Sequence, residues 1–170
     1  MRLAPLVVIL AASGAFAVKT VHVVQTCHLD VGFADTAANI VERYHSYLLQ
    51  AANTSKWLRE HPQPLGEGLK FTTHSYLVSL LFDCPPGLGF TCYNSSEKKV
   101  VSDAFAQGDL VLQAFPFNAE TATLSSSLFE SALQLTKKWA GQLGVAAPIT
   151  MTQRDGTKDF FVAHCSFCPG

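Results

Sequence analysis

His28 and Asp30, separated by Leu29, are the residues in this sequence whose types and spacing best suit chemistry. At an extended strand end, residues i and i+2 project to one side, so imidazole and carboxylate can converge on one ion while Leu29 turns inward. A nitrogen and an oxygen donor of this kind suit zinc. Gly32 then lets the backbone turn, and Phe33 offers an aromatic face to a sugar ring. The same step also serves as an ordinary surface pair, so spacing alone leaves both readings open.

Two other positions have a geometric claim. Asp155, beside Arg154, closes an expected strand, and active-site residues gather at the carboxyl ends of parallel strands. It equally suits a helix N-cap or a surface salt bridge. His74 follows another expected strand and reads either as a site residue or as a buried, hydrogen-bonded histidine. His164 and the Cys165-Ser166-Phe167-Cys168 segment lack the second ligand pair that a zinc knuckle needs, so a tail disulfide or a disordered end is the simpler reading.

The elements that must position these residues follow from periodicity. Val21 to Thr26 is a β-branched run that reads as a first strand. From Thr36 to Glu60 the apolar residues Ile40, Val41, Tyr44, Leu48, Ala51 and Ala52 recur at helical spacing, with a break expected near Asn53 to Ser55. Residues 61–68 are a Pro/Gly loop, Leu69 to Thr73 a second strand and Tyr76 to Phe82 a short helix. Cys84 to Ser96 reads as a surface loop, and Glu97 to Ala106 as a helix stopped by Gly108. Asp109 to Phe115 is a third strand, and Pro148 to Thr152 a fourth. Between them Ala119 to Leu143 is a long helix ended by Gly144, with Leu124, Leu128 and Trp139 assigned to packing. Strands alternating with helices predict an α/β fold of parallel βα units, either a small open sheet or the first part of a barrel. A partial barrel leaves two strand edges open.

Met1 to Ala17 has the layout of a secretory signal: Arg2, an apolar run from Leu3 to Ala12, then Ala15-Phe16-Ala17. That run is shorter than the roughly 20 residues of a membrane span. The expectation is a secreted chain starting near Val18, without a membrane segment after cleavage. The sequons Asn53-Thr54-Ser55 and Asn94-Ser95-Ser96 agree with it. Of the five cysteines, Cys84 and Cys92 can close a small loop by a disulfide in an oxidising compartment. A net charge of −1 without a Lys/Arg cluster argues against a nucleic-acid surface.

Val23-Val24-Gln25-Thr26-Cys27-His28-Leu29-Asp30-Val31-Gly32-Phe33 resembles the opening strand of the glycoside hydrolase family 38 α-mannosidases, whose motif is approximately His-x-His-x-Asp-x-Gly-Trp. Looser likeness continues through Phe71 to Leu77, Gly108 to Leu110, Ala114 to Glu120 and Thr150 to Asp155, in the family's order. The resemblance implies a seven-stranded (β/α) barrel of the glycoside hydrolase/deacetylase type over residues 18–155, followed by a divergent tail at 156–170. It also implies zinc-dependent retaining hydrolysis of α-mannosides, with His28 and Asp30 matching two zinc ligands, and a secreted or lysosome-like destination. In the family, a third-strand aspartate is the nucleophile and a further ligand histidine comes much later, so the chain reads as truncated.

Departures from the pattern are specific. Thr26 and Cys27 sit where the family often has another histidine, and Phe33 replaces the tryptophan while keeping an aromatic platform. Pro116-Phe117-Asn118-Ala119-Glu120 contains no aspartate. Asn118 can coordinate a metal through its amide oxygen, and Glu120 can serve as nucleophile only with a shifted alignment. Retaining hydrolysis needs two carboxyl groups about 5 to 5.5 Å apart. Asp155 and Glu120 are therefore the catalytic candidates, with Phe33, His74 and Arg154 expected to contact a mannose-containing glycan. Two alternatives stay open: a non-catalytic secreted carbohydrate-binding remnant, and a metal-dependent polysaccharide deacetylase. The latter normally wants a His-x-x-x-His pair, which the sequence lacks.

Overall fold

The computed structural model describes residues 31–61, 68–118 and 124–151. Thr36 starts the first helix: its backbone is extended and its side chain accepts the Asn39 N–H. This satisfies one of the four donors a helix leaves unpaired at its beginning. Helix α1 (Ala37–Glu60) buries Ile40, Val41, Tyr44, Leu48, Ala51, Ala52 and Ser55 on one face. It runs unbroken through Asn53 to Ser55, contrary to the expected interruption. Ser55 is 1 % exposed and continues the buried face, so packing overrides the weak helix preference of the polar residues there.

Strand β1 (Phe71–Thr73) leads into α2 (Ser75–Asp83), which stops where Cys84 turns left-handed at φ 52. Helix α3 (Ser95–Ala106) begins two residues before the expected Glu97, because Asn94 and Glu97 form a capping box. It ends at Gly108, φ 73, whose N–H donates to Phe105 O while the Asp109 N–H reaches Ala104 O. Gly144, φ 69, closes α4 (Ser126–Gln142) in the same way, with the Val145 N–H donating to Ala140 O. Both are Schellman stops that require a residue tolerant of positive φ.

Between α3 and α4 lies β2 (Leu110–Leu112), parallel to β1, with Phe71 opposite Leu110 and Thr73 opposite Leu112. A single apolar core joins α1, α2 and α3 to β2 and to Trp139 and Ala140 of α4, with Leu48, Leu77, Leu81 and Val101 fully enclosed. Among the described residues no helix is long and apolar enough to cross a membrane.

The barrel expectation is overturned. The described chain is mostly helical, with four helices and one two-stranded parallel sheet, and no seven-stranded barrel. The expected fourth strand is absent over residues 148–151: they lend the sheet one carbonyl, Thr150 O, to the Ala114 N–H at 2.9 Å, and build no ladder. Ile149 stays 78 % exposed there, whereas a barrel strand would bury it. The apolar residues serve helix faces instead. The long helix begins at Ser126 rather than Ala119, capped by the Ser125 side chain, and Leu128 lies 55 % exposed instead of packing. The expected first strand, Val21 to Thr26, lies outside the described residues.

Candidate functional site

The two parallel strands end on the same side of the molecule, so the segments that leave them meet. β1 delivers Thr73 and His74, which are 2 % and 3 % exposed. β2 delivers Gln113 to Asn118. The pairing continues one step past the ladder, with the Gln113 N–H donating to Thr73 O. Beyond it, the Tyr76 N–H donates to Pro116 O at 3.1 Å, tying the first turn of α2 to the segment after β2. Ser75 and Thr136 hydroxyls hydrogen-bond at 2.7 Å in the buried interface of α2 with α4. These three contacts fix both strand exits.

His74 Nε2 and Asn118 Oδ1 are then 2.9 Å apart. In this arrangement the imidazole N–H donates and the amide oxygen accepts, leaving Asn118 Nδ2 buried with no hydrogen-bond partner among the described residues. Thr73 Oγ1 is a second such buried atom. A buried donor without an acceptor costs about 1 to 3 kcal/mol. Reversing the amide exchanges donor and acceptor toward His74 and leaves a buried acceptor instead. Either orientation leaves one buried amide position without a partner among the described residues. Phe117 lies beside the pair in sequence and makes edge contacts with Tyr76, at 6.0 Å between ring centres, and with Phe115, at 5.2 Å. Phe115 in turn stacks on Phe129 of α4. The site thus combines hydrogen-bonding polar atoms with an aromatic wall.

Of the residues nominated from sequence, the structure brings together His74 and Asn118, though not as a ligand set. The Asn118 oxygen is occupied by imidazole rather than turned toward a cation. Among the described residues no group of three His, Cys, Asp or Glu is placed to hold a metal ion. His74 and Asn118 by themselves do not make a zinc site, because they are two donors bonded to each other where zinc takes three or four converging ligands. His28, Asp30, Glu120, Arg154 and Asp155 lie outside the described residues. Phe33 is 92 % exposed in the bend before α1 and belongs to no core cluster. Asn53 is exposed on α1, Asn94 caps α3, and Cys84 and Cys92 are joined in a disulfide.

Tyr76, Phe117 and the Ser75 to Thr136 link were not foreseen from the sequence, although Tyr76, Phe117 and Ser75 each lie within two residues of a nominated one. It also overlooked a cleft of about 100 Å³ between α1 and α3, lined by Lys56, Arg59, Asp103 and Asp109 among others. There Arg59 is ion-paired with the nearly buried Asp109, which joins the end of α1 to the start of β2. The cleft's charges are already matched within the fold, since Lys99 likewise holds Asp103.

Comparison of the chain with protein-family models, curated proteins and solved structures finds no match.

Proposed function

We propose that this chain is a secreted, α-mannosidase-like carbohydrate-active protein whose sugar-contacting site lies at the carboxyl ends of β1 and β2. The observation that carries the reading is the His74 to Asn118 pair, with its buried amide position left over. A sugar hydroxyl both donates and accepts, so it can satisfy that position in either amide orientation. The aromatic rings of Tyr76 and Phe117 suit the apolar faces of a pyranose. The choice of α-mannosides comes from the resemblance around His28 and Asp30 alone.

Hydrolysis belongs to the same proposal. Zinc held by His28 and Asp30 would orient sugar hydroxyls, with Asp155 and Glu120 as the candidate carboxyl groups. His74 and Asn118 would bind and orient the sugar, without exchanging protons with it. The non-catalytic carbohydrate-binding reading keeps the same site and is favoured by one observation: the described pair consists of an imidazole and an amide, neither of them the carboxylate that attack requires.

Metal analysis of the purified full chain beside a His28→Ala, Asp30→Ala double variant tests the enzymatic form, with hydrolysis of a chromogenic α-mannoside followed in parallel. The expected result is stoichiometric zinc and turnover in the parent and loss of both in the variant. Equal zinc in the two proteins overturns the metal assignment. Zinc without turnover favours the binding protein.

A further inference from the structure

The two sequons sit in opposite structural settings. Asn94, Ser95 and Ser96 are all exposed, and the Asn94 backbone is extended at φ −75, ψ 175. Its Oδ1 alone does the capping, accepting from Ser96 N at 2.9 Å, Glu97 N at 3.0 Å and Ser96 Oγ at 2.6 Å. No hydrogen bond of its Nδ2 occurs among these cap contacts. Asn53, by contrast, lies in the interior of α1, and the Ser55 hydroxyl that its sequon requires is buried in the core interface, 1 % exposed. Presenting residues 53–55 as an extended acceptor would unwind the middle of a 24-residue helix and pull Ser55 out of that interface.

We infer that Asn94 carries an N-linked glycan and that Asn53 is passed over, an inference that rests on the proposed secretory route. The co-reactant is a lipid diphosphate-linked oligosaccharide. Asn94 Nδ2 forms a bond to the anomeric carbon of the donor, the bond from that carbon to the diphosphate oxygen breaks, and the lipid diphosphate leaves. Nδ2 gives up one proton to a base of the transferase. The product is still an amide with its Oδ1 intact, so the three cap bonds survive modification. The glycan then projects from the amino end of α3, two residues from the Cys84 to Cys92 disulfide. The same asparagine serves the fold through its oxygen and the glycan through its nitrogen.

The full chain, with its leader, is expressed in a glycosylating secretory cell, and the exported protein is measured by intact mass and by glycopeptide mapping. The expected product has one glycan, on Asn94. Ser96→Ala removes the mass of one glycan and Ser55→Ala removes none. Asn94→Asp and Asn94→Ala both lose the glycan, but Asp keeps a capping oxygen, so only Ala should lower the unfolding midpoint relative to enzymatically deglycosylated protein. Exported protein with a glycan on Asn53, or with Asn94 bare, overturns the inference and leaves the secretory route standing. Chain retained in the cell with its leader attached overturns the secretory route and the inference with it.

Discussion

The amino end of α3 and the carboxyl ends of β1 and β2 are both polar, loop-built regions, yet they treat hydrogen bonds in opposite ways. At the first, Asn94 and Glu97 satisfy each other's backbone donors, Thr91 N–H donates to Glu42, and Tyr93 O–H donates to His45 O. Lys98 Nζ donates to Phe82 O, while His45 Nε2, 3.7 Å from Glu97, is the one buried side-chain atom there without a hydrogen bond among the described residues. A disulfide closes the loop behind them. At the second, the Asn118 amide nitrogen and the Thr73 hydroxyl are buried without partners among the described residues. A region that closes its own polar contacts but for one imidazole nitrogen serves the fold. One that leaves a buried amide position open, beside a histidine and two aromatic rings, is the place proposed here for a ligand.

The comparison breaks most visibly at the disulfide. Replacing Cys84 and Cys92 together by serine should lower the unfolding free energy by about 2 to 3 kcal/mol, the loop-closure value for so short a ring. Urea denaturation read by tryptophan fluorescence measures it, and an unchanged midpoint would show that the α1 contacts alone hold the loop. Asn94→Ala comes next, at about 1 kcal/mol in the same assay on unglycosylated protein. A loss as small as for an exposed serine would mean the capping box contributes little.

The smallest effect concerns pH. The Asp35 carboxyl is held below its ordinary range first by the Asn39 side chain, then by the Thr36 amide, with Arg43 adding its charge. Because the folded value lies below the unfolded one, this contribution is present above about pH 4 and is lost as pH falls through the folded value. The side chain is half-buried at the surface, 26 % exposed, and screened by solvent, so the slope it adds is slight. Carboxyl titration by NMR should place Asp35 below the other exposed aspartates, and Asn39→Ala should bring it back toward them.

Some of this was legible in the sequence for local reasons. Gly108 and Gly144 mark helix ends because the left-handed stop is a local requirement, and the β-branched and aromatic run at Phe71 to Thr73 marks a strand. The amino end of α3 was also legible in principle, since Asn94-Ser95-Ser96-Glu97 spells a capping box, but the Pro/Gly-rich residues before it suggested a longer loop. What failed depended on distant partners. Pro148 to Thr152 has a strand's composition, yet its described residues 148–151 join no ladder, and the polar step at Asn53 to Ser55 stays helical because the core accepts Ser55. His74 and Asn118 were each nominated, for substrate and metal contact. Their hydrogen bond spans 44 residues and became visible only once β1 and β2 were paired.

The central claim is that the strand ends hold a sugar, and a titration of the full chain with methyl α-mannoside, followed by amide NMR, addresses it most directly. Saturable shifts are expected at residues 74–76 and at Phe117 and Asn118. Asn118→Ala is expected to weaken binding about 5- to 10-fold, the equivalent of one hydrogen bond, and to lower stability by about 1 to 3 kcal/mol because it takes the acceptor from buried His74 Nε2, so binding is compared where both proteins are folded. Saturable shifts elsewhere, no shifts at all, or an Asn118→Ala protein that binds as tightly as its parent would contradict it.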